Sequence, residues 1–252
     1  MIPVLFLLAA GMLVGSFVTV IAHRVPRGEQ FVTGRSRCPS CDAQIAAYDN
    51  LPVVSWIALR GRCRACGARI SARYPLTELG LGLLWAITYL VIGDDNLTEL
   101  ALGLVFCAVL VMITLTDLEQ RLIPNKIVLA GALAGVAIAL TEPSSLDERA
   151  IAAAAAGGFL LIVALLYPRG MGMGDVKLAA MMGLYLGRAV APALLIGFAA
   201  GALVGAAMMA RHGSAARKRA IPFGPFLALG GIVGLWAGDE IVNWYVDTFF
   251  SA

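Results

Sequence analysis

Hydrophobic residues along this chain are gathered into long, almost uninterrupted runs separated by short polar stretches. Runs near the ~20 residues that an α-helix needs to cross a bilayer predict transmembrane helices. Eight spans are predicted, at 2–23, 76–93, 97–116, 123–141, 149–167, 175–188, 189–210 and 222–246. The sixth is short, and it is divided from the seventh by a break at Gly187-Arg188. The pattern therefore predicts an all-α polytopic membrane protein, a bundle of about eight transmembrane helices.

Composition supports a membrane protein over a soluble one. Of the 252 residues, 60% are hydrophobic and 14% are charged, and the mean hydropathy is +0.85. A chain with these values is far too apolar to be a soluble domain. We expect contact with membrane lipid and no nucleic-acid partner. The first span lacks a basic leading region and an A-x-A site, so we expect it to be retained rather than cleaved.

Basic residues are concentrated in alternate connections between the spans. The connection 24–75 holds nine arginines against three acids, and 117–126, 168–177 and 211–219 hold two, two and four lysines or arginines. Because basic loops stay on the cytoplasmic side, these four connections are predicted to be cytoplasmic. The other connections are mainly acidic, so both termini are expected outside.

A glycine-rich segment, Gly-Met-Gly-Met-Gly-Asp-Val-Lys at 170–177, leads into the sixth span. A carboxylate beside the membrane core is costly, which makes Asp175 a candidate functional residue. Glycines would let the backbone of a peptide substrate approach it closely. The alternative is that Asp175 only caps the helix that follows.

A second carboxylate, Asp117, closes the third span. Two complete spans separate it from Asp175, so both are predicted at the same, cytoplasmic, boundary. Two carboxyl groups in a partly dry site favour one acid and one base, the arrangement that activates water in aspartic proteases. Two alternatives remain: Asp117 pairs with Arg121 one turn later, or Glu119 is the acidic partner.

Four of the five cysteines form two C-x-x-C pairs in the first basic connection. Cys38 and Cys41 are separated by 21 residues from the second pair, Cys63 and Cys66. This spacing is close to that of a zinc ribbon and predicts a structural zinc site. The alternatives are a redox pair or idle thiols. Cys107, within an apolar span, is predicted to serve packing.

Several motifs in order along the chain resemble those of the type IV prepilin peptidases, the bifunctional leader peptidase and N-methyltransferase family. Besides the two C-x-x-C pairs and the two aspartates, they are residues 15–17 (Gly-Ser-Phe), 23–26 (His-Arg-Val-Pro), 48–52 (Tyr-Asp-Asn-Leu-Pro), 55–56 (Ser-Trp), 59–61 (Leu-Arg-Gly), 70–78 (Ile-Ser-Ala-Arg-Tyr-Pro-Leu-Thr-Glu), 122–125 (Leu-Ile-Pro-Asn) and 172–178 (Gly-Met-Gly-Asp-Val-Lys-Leu).

This resemblance implies a G-x-G-D membrane aspartic protease with Asp117 and Asp175 as its catalytic dyad. Gly172, Gly174 and Lys177 would contact substrate, although Lys177 is also placed to reach the membrane interface. Such enzymes cut the basic leader of prepilins or pseudopilins after a glycine and then methylate the new amine from S-adenosylmethionine.

Candidates for the methyl-donor site are Arg73, Glu78 and the segment 48–50. The alternative for Glu78 is an acid placed in a first helical turn by the helix dipole.

The implied organisation is a first transmembrane helix (1–23), a small cytoplasmic zinc-ribbon-like loop domain associated with methyl transfer (24–75) and a peptidase bundle (76–252). The implied setting is the bacterial inner membrane, with a role in type IV pili or type II secretion. Two other classes compete with this interpretation. One is a membrane thiol-disulfide oxidoreductase that uses the cysteine pairs, and the other is a transporter or assembly scaffold.

Overall fold

The fold is described from a computed structural model over residues 1–30, 36–167, 171–212 and 221–250. Within these ranges the chain is almost entirely helical, and bridging between extended segments is limited to two isolated pairs, Arg37 with Gln44 and Arg62 with Arg69. The α-helices of the described ranges are α1 (Ile2–Arg24), α2 (Val54–Ala58), α3 (Arg73–Ile92), α4 (Leu97–Gln120), α5 (Asn125–Ala139), α6 (Leu146–Leu166), α7 (Met173–Leu186), α8 (Val190–His212) and α9 (Gly224–Phe249). The predicted all-α class is confirmed.

Six stretches of the described chain are long and apolar enough to cross a membrane. One of them, Met173–Arg211, contains both α7 and α8. A further apolar helix, α5, is shorter, with 15 residues. Counted as helices, α1 and α3 to α9 follow the eight predicted spans in order. The chain is therefore a multi-pass membrane protein.

The break predicted between the sixth and seventh spans is present at Gly187. This residue directly follows α7 and has a φ of +53°, a left-handed backbone conformation that residues other than glycine rarely adopt. A 3₁₀ turn, Gly187–Ala189, then leads into α8. Most other boundaries differ from the prediction by a few residues. For example, α4 continues to Gln120, beyond 116, and α3 begins at Arg73, ahead of 76.

The helices divide into two compact units, Met1–Asp95 and Asn96–Ala252. In the first unit α1 packs along α3 with backbones in direct contact. A Cβ placed on Gly15 would lie 2.8 Å from the Cα of Glu78, and one on Gly82 would lie 2.7 Å from the carbonyl oxygen of Leu8. The connection between these two helices carries the cysteines.

In the second unit α7 is the central element, because it contacts α4, α5, α6, α8 and α9. It has 14 residues, which at 1.5 Å per residue span about 21 Å, less than the ~30 Å hydrocarbon thickness. Its buried residues lie on several sides of the helix, as expected of a helix that is enclosed by others.

Glycines recur at four-residue spacing at 131/135, 183/187 and 197/201/205, a pattern that predicts close packing between helices in lipid. Small residues do produce the close packing of this unit. A Cβ on Gly183 would lie 2.5 Å from the Cα of Ala153 on α6, and one on Gly135 would lie 2.9 Å from the ring of Tyr185. Gly205 is the exception among the predicted packing glycines, since a Cβ there would meet open space.

Part of the predicted basic connections falls on residues 31–35, 168–170 and 213–219, which lie outside the described ranges. Arg169, Gly170, Arg217, Lys218 and Arg219 are among them.

Candidate active site

Asp117 lies in the last turn of α4, where only 6% of its surface is exposed. Its Oδ2 accepts a hydrogen bond of 2.8 Å from the backbone N–H of Gly224. Gly224 is the first residue of α9, so this carboxylate faces the positive end of a long helix. The Asp117 carboxyl group is therefore buried, and the N–H of Gly224 can stabilise its negative charge.

Asp175 occupies the third position of α7 and is half-buried. Its Oδ2 accepts a hydrogen bond of 3.2 Å from the backbone N–H of Gly172, the residue that precedes the helix. The capping contact considered for this residue is thus present. It also fixes the carboxyl group at the start of α7, which is the central helix of the unit.

The segments that carry the two aspartates lie against each other. Ile123, shortly after Asp117, packs on the backbone of Gly174, where a Cβ would come within 2.9 Å of the Ile123 side chain. The structure therefore brings the segments that carry the two predicted carboxyl groups into contact.

A second contact joins the same two segments. The Nζ of Lys177 donates a hydrogen bond of 2.9 Å to Oδ1 of Asn125, the first residue of α5. The Lys177 side chain is thus held beside the aspartates by a partner within the protein.

The remaining predicted substrate residues also lie at the start of α7. Gly172 is exposed, which leaves its backbone accessible, whereas Gly174 faces Ile123 with no room for a side chain. Gly172 therefore has the accessibility expected of a substrate contact, and Gly174 has in addition a packing role.

The structure also shows where the residues of the two alternatives for Asp117 lie. Glu119 is exposed on α4, whereas Asp117 is buried. Arg121 directly follows α4, and the hydrogen bond described for the Asp117 carboxylate comes from Gly224.

Gly224 was not among the predicted site residues. A Cβ at this position would lie 2.8 Å from Oδ2 of Asp117, so a side chain there would displace the carboxylate. The available signal was a glycine between two prolines, in Pro222-Phe223-Gly224-Pro225, directly before an apolar run. Asn125 belongs to the Leu-Ile-Pro-Asn motif at 122–125, which by itself predicts no contact for it.

The four predicted cysteine ligands converge on one point. The sulfur atoms of Cys38, Cys41, Cys63 and Cys66 all lie within 4.8 Å of one another. Each pair sits in a similar turn: the N–H of Cys38 donates to Ala43 O, and that of Cys63 donates to Ala68 O. These four residues could hold a metal ion.

The pKa values of Cys38 and Cys41 are shifted in opposite directions, and a bound metal ion would stabilise the thiolate form of all four cysteines. Backbone N–H groups of Ser40 and Cys41 lower the pKa of Cys38 to about 6. The Ala43 amide acts in the same direction on Cys41, but the crowded thiols of Cys66 and Cys38 outweigh it and raise its pKa to about 12. A divalent cation among the four sulfurs would relieve this repulsion and let every thiol ionise.

Residues predicted for the methyl-donor site hold the cysteine-containing loop together. Because α3 begins at Arg73, Glu78 lies beyond the first helical turn. The alternative that Glu78 is an acid favoured in a first turn by the helix dipole is therefore wrong. Its Oε2 accepts a hydrogen bond of 2.8 Å from the N–H of Val53. Val53 has a φ of +61°, which is strained for a β-branched side chain. Glu78 therefore helps to fix an unfavourable turn.

The segment 48–50 is tied to the second cysteine pair. Arg64 donates hydrogen bonds of 2.8 and 2.6 Å to the two carboxylate oxygens of Asp49 and lies 5.5 Å from the ring centroid of Tyr48. This pairing holds the pKa of Asp49 below its usual value. The carboxylates of Asp49 and Glu78 are thus both engaged within the loop.

Comparison with known proteins places this geometry in a family. Residues 9–92 match the bacterial peptidase A24 N-terminal domain, and residues 104–208 match the type IV leader peptidase family. A prepilin leader peptidase/N-methyltransferase of Stutzerimonas stutzeri is 35% identical over 278 residues, covering 97% of this chain and 95% of the relative. The chain belongs to the prepilin leader peptidase/N-methyltransferase family.

Two further relatives with the same name support this assignment. The one from Aeromonas hydrophila is 35% identical, covering 94% of this chain and 92% of the relative. The one from Bacillus subtilis is 33% identical, covering 98% of each. No solved structure matches the chain. Both aspartates lie within the part that matches the type IV leader peptidase family, and the four clustered cysteines lie within the N-terminal match.

Proposed function

We propose that this chain is a membrane aspartic endopeptidase that removes the basic leader of type IV prepilins or pseudopilins after a glycine, and then methylates the new amino terminus. The observation that carries the proposal is that the segments bearing Asp117 and Asp175 pack against each other, with each carboxylate accepting a backbone N–H at the start of a helix. Membership of a family whose members are named for both activities supports the substrate and the second step.

The chemistry needs one carboxylate and one carboxylic acid. The carboxylate takes a proton from water as the water oxygen attacks the carbonyl carbon of the scissile bond, and the acid donates a proton to the carbonyl oxygen. As the tetrahedral intermediate collapses, the C–N bond breaks and the leaving nitrogen takes the proton that had been removed from the water. The carboxyl group that had donated its proton takes one back from a hydroxyl of the intermediate. Asp117 and Asp175 share these two roles.

Residues beside the dyad position the peptide. Gly172 offers an accessible backbone on which an extended chain can lie, while Gly174 lets α7 approach Ile123 closely and so sets the position of Asp175. Lys177 adds a positive charge two residues beyond Asp175.

The proposed location is the bacterial inner membrane with the dyad at the cytoplasmic face and both termini outside. Support comes from the basic connections and from the two spans that separate the aspartates. A basic leader retained in the cytoplasm would then end at the dyad.

Zinc is the proposed ion of the cysteine cluster, because four thiolates suit tetrahedral Zn²⁺. Its role would be structural, holding the two turns of a loop that is rich in arginine and has little core of its own. The methyl donor is proposed to be S-adenosylmethionine, with Arg73 and Glu78 as candidate contacts. The loop contacts of Glu78 and Asp49 support a role for both in shaping that region rather than in the transfer itself.

The thiol-disulfide oxidoreductase alternative is less well supported by the cluster. The thiols of Cys38 and Cys66, which lie 3.8 Å apart, come from different C-x-x-C pairs. Four sulfurs around one point are arranged as ligands rather than as two separate redox pairs. Purified protein with one zinc per chain and no exchangeable disulfide would reject this alternative.

The test uses membranes that contain the chain and a prepilin-type substrate. We expect Asp117→Asn and Asp175→Asn, each alone, to lower the cleavage rate by roughly 10²–10⁴-fold or more, because either change removes one of the two proton-transfer groups. Mass spectrometry of the product amino terminus reports cleavage and methylation together.

Glu119→Gln is the matched control, since it removes an exposed carboxylate from the same turn of α4. It should cleave as the unaltered chain does. Normal cleavage by either asparagine variant would show that the two aspartates are not the dyad.

A further inference from the structure

Arg149 is buried at the end of the second unit that lies opposite the aspartates. It is the fourth residue of α6, and only 7% of its surface is exposed. Its guanidinium group donates hydrogen bonds of 3.2 and 2.5 Å to the carbonyl oxygens of Leu184 and Tyr185, in the last turn of α7. It also donates to a carboxylate oxygen of Glu99, in the first turn of α4. One side chain of α6 therefore joins the two helices that carry the aspartates.

Opposite charges alternate along this connection. The carbonyl end of a helix carries a partial negative charge, and the amide end carries a partial positive charge. The guanidinium group of Arg149 lies at the carbonyl end of α7, and the carboxylate of Glu99 lies at the amide end of α4. The backbone N–H of Glu99 is in turn capped by Oδ1 of Asn96, at 3.0 Å. Each charge thus faces an opposite one, which is the condition for burying it.

These contacts satisfy a helix end that stops inside the protein. Carbonyl groups in the last turn of a helix have no partner further along it, and Tyr185 is only 2% exposed. Arg149 supplies the missing donors. The neighbouring Glu148 accepts a hydrogen bond of 3.0 Å from the N–H of Arg188, just beyond α7, whereas Arg149 also reaches α4.

Further along α6 and α7 the close contacts are made by small residues. Gly183 lies against the backbone of Ala153, and a Cβ on Gly157 would lie 2.8 Å from the Cβ of Ala180. Small residues let helices approach closely in lipid, but they carry no polar group that favours one axial position. The hydrogen bonds of Arg149 do favour one, because they weaken steeply when donor and acceptor move apart or out of line.

The carbonyl end of α7 is close to the candidate active site along the helix. Asp175 and Tyr185 are ten residues apart, which corresponds to about 15 Å. A helix of 14 residues moves largely as a rigid unit, so an axial shift or a tilt at its carbonyl end also moves Asp175. Loss of the contacts of Arg149 would therefore be felt at the aspartates.

We propose that Arg149 is a positioning residue of the peptidase. By tying the carbonyl end of α7 to the amide end of α4, it sets the axial position of α7 and so places Asp175 relative to Asp117 at the other ends of the same helices. This inference rests on the proposed function and names a residue outside the dyad on which the geometry of the dyad depends. A buried ion pair adds little net stability compared with a well-packed apolar pair, so we expect its effect on alignment rather than on folding.

The first test separates the two kinetic constants. Arg149→Met removes the charge and the donors but keeps a long, unbranched side chain. We expect kcat for leader cleavage, corrected for the fraction of folded protein, to fall by roughly tenfold to 100-fold, because a displacement of ~1 Å in a catalytic group has an effect of this order. KM should stay within about twofold, since the residues proposed to contact the substrate are unaltered. Arg149→Lys, which keeps the charge and an N–H donor, should recover part of the lost kcat.

Arg188→Met is the matched control at the same end of the bundle. Nε of Arg188 donates to Oδ1 of Asp239 on α9 at 2.9 Å, but the two side chains are 50% and 65% exposed. Because exposed ion pairs contribute little, this variant should cleave with the kcat and KM of the unaltered chain.

A distance measurement tests the position of α7 without turnover. Nitroxide amino acids at Glu119 and Met173, which are both exposed, place one label two residues from each aspartate. Pulsed EPR of the Arg149→Met protein should give a label-to-label distance distribution that is shifted or broadened relative to the unaltered chain. The Arg188→Met protein should keep the original distribution. Glu99→Ala cuts the link to α4 alone; it should act as Arg149→Met does, and it replaces that variant if the latter does not fold.

A changed distance distribution together with a lower kcat would support the positioning role. A lower kcat with an unchanged distribution would overturn it, and so would an unchanged kcat or a higher KM alone in the Arg149→Met and Glu99→Ala proteins. These three results leave the peptidase proposal intact. An unaltered chain that cleaves no prepilin-type substrate would instead reject the proposed function, and the role of Arg149 in it.

Discussion

At the scale of single residues, the two aspartates were predictable and the group that holds one of them was not. Asp117 and Asp175 stand out because a carboxylate beside an apolar run is unusual. The partner of Asp117 is the N–H of Gly224, 107 positions away along the chain. Every residue except proline carries such a group, so nothing in the side chains of the sequence marks this one.

Gly224→Ala should therefore act at the dyad. The added Cβ would lie 2.8 Å from Oδ2 of Asp117 and push the carboxylate away from its place. We expect kcat/KM for leader cleavage to fall roughly 100-fold, the order of loss produced by a shift of ~1 Å in a catalytic group. Membrane abundance of the variant should stay near that of the unaltered chain.

Gly205→Ala is the control for this substitution, because a Cβ there meets open space. Equal cleavage rates for the Gly224→Ala and Gly205→Ala proteins would show that the added Cβ does not displace the Asp117 carboxylate.

At the scale of elements, the interiors of the helices were predictable and their ends were less so. Hydropathy locates apolar interiors, but α4 continues through Asp117 to Gln120 because its backbone hydrogen bonding continues past the apolar run. The cysteine loop is a different case. The C-x-x-C spacing indicated one cluster, whereas the contact between Glu78 and the strained Val53 depends on how the loop folds back on α3.

The metal should determine whether this loop is folded. We expect Cys41→Ser, or removal of zinc by a chelator, to lower the zinc content from one per chain and to expose the arginines of the loop to trypsin. Zinc analysis and limited proteolysis in detergent measure the two effects. Cys107→Ser is the control, since Cys107 lies in α4 and is not one of the four clustered cysteines. A Cys41→Ser protein with full zinc content and unchanged proteolysis would contradict a structural metal.

At the scale of the whole molecule, the sequence predicts which side of the membrane each connection faces. Basic residues set orientation during insertion, and the basic connections alternate with acidic ones along the chain. Packing within each unit follows from contacts between distant residues, as at Gly183 and Ala153, and so could not be derived from local patterns.

Orientation can be measured directly on intact cells. A cysteine replacing Asp95, between α3 and α4, should react with a membrane-impermeant maleimide added outside, because that connection is predicted to be external. A cysteine replacing Glu119 should react only after the membrane is permeabilised. Labelling of the Glu119→Cys protein in intact cells would place the dyad on the wrong face for a leader held in the cytoplasm.

The hydrogen bond between Gly224 and Asp117 also sets an order in time. Ribosomes add residues from the amino terminus, so α4 enters the membrane long before its amide partner has been made. A growing chain that has not yet produced α9 holds Asp117 without this support. Because Asp117 is proposed as one half of the dyad, we expect full proteolytic capacity only after α9, the last of the described helices, has been inserted. Biosynthesis itself would then delay the activity until the protein around it is assembled.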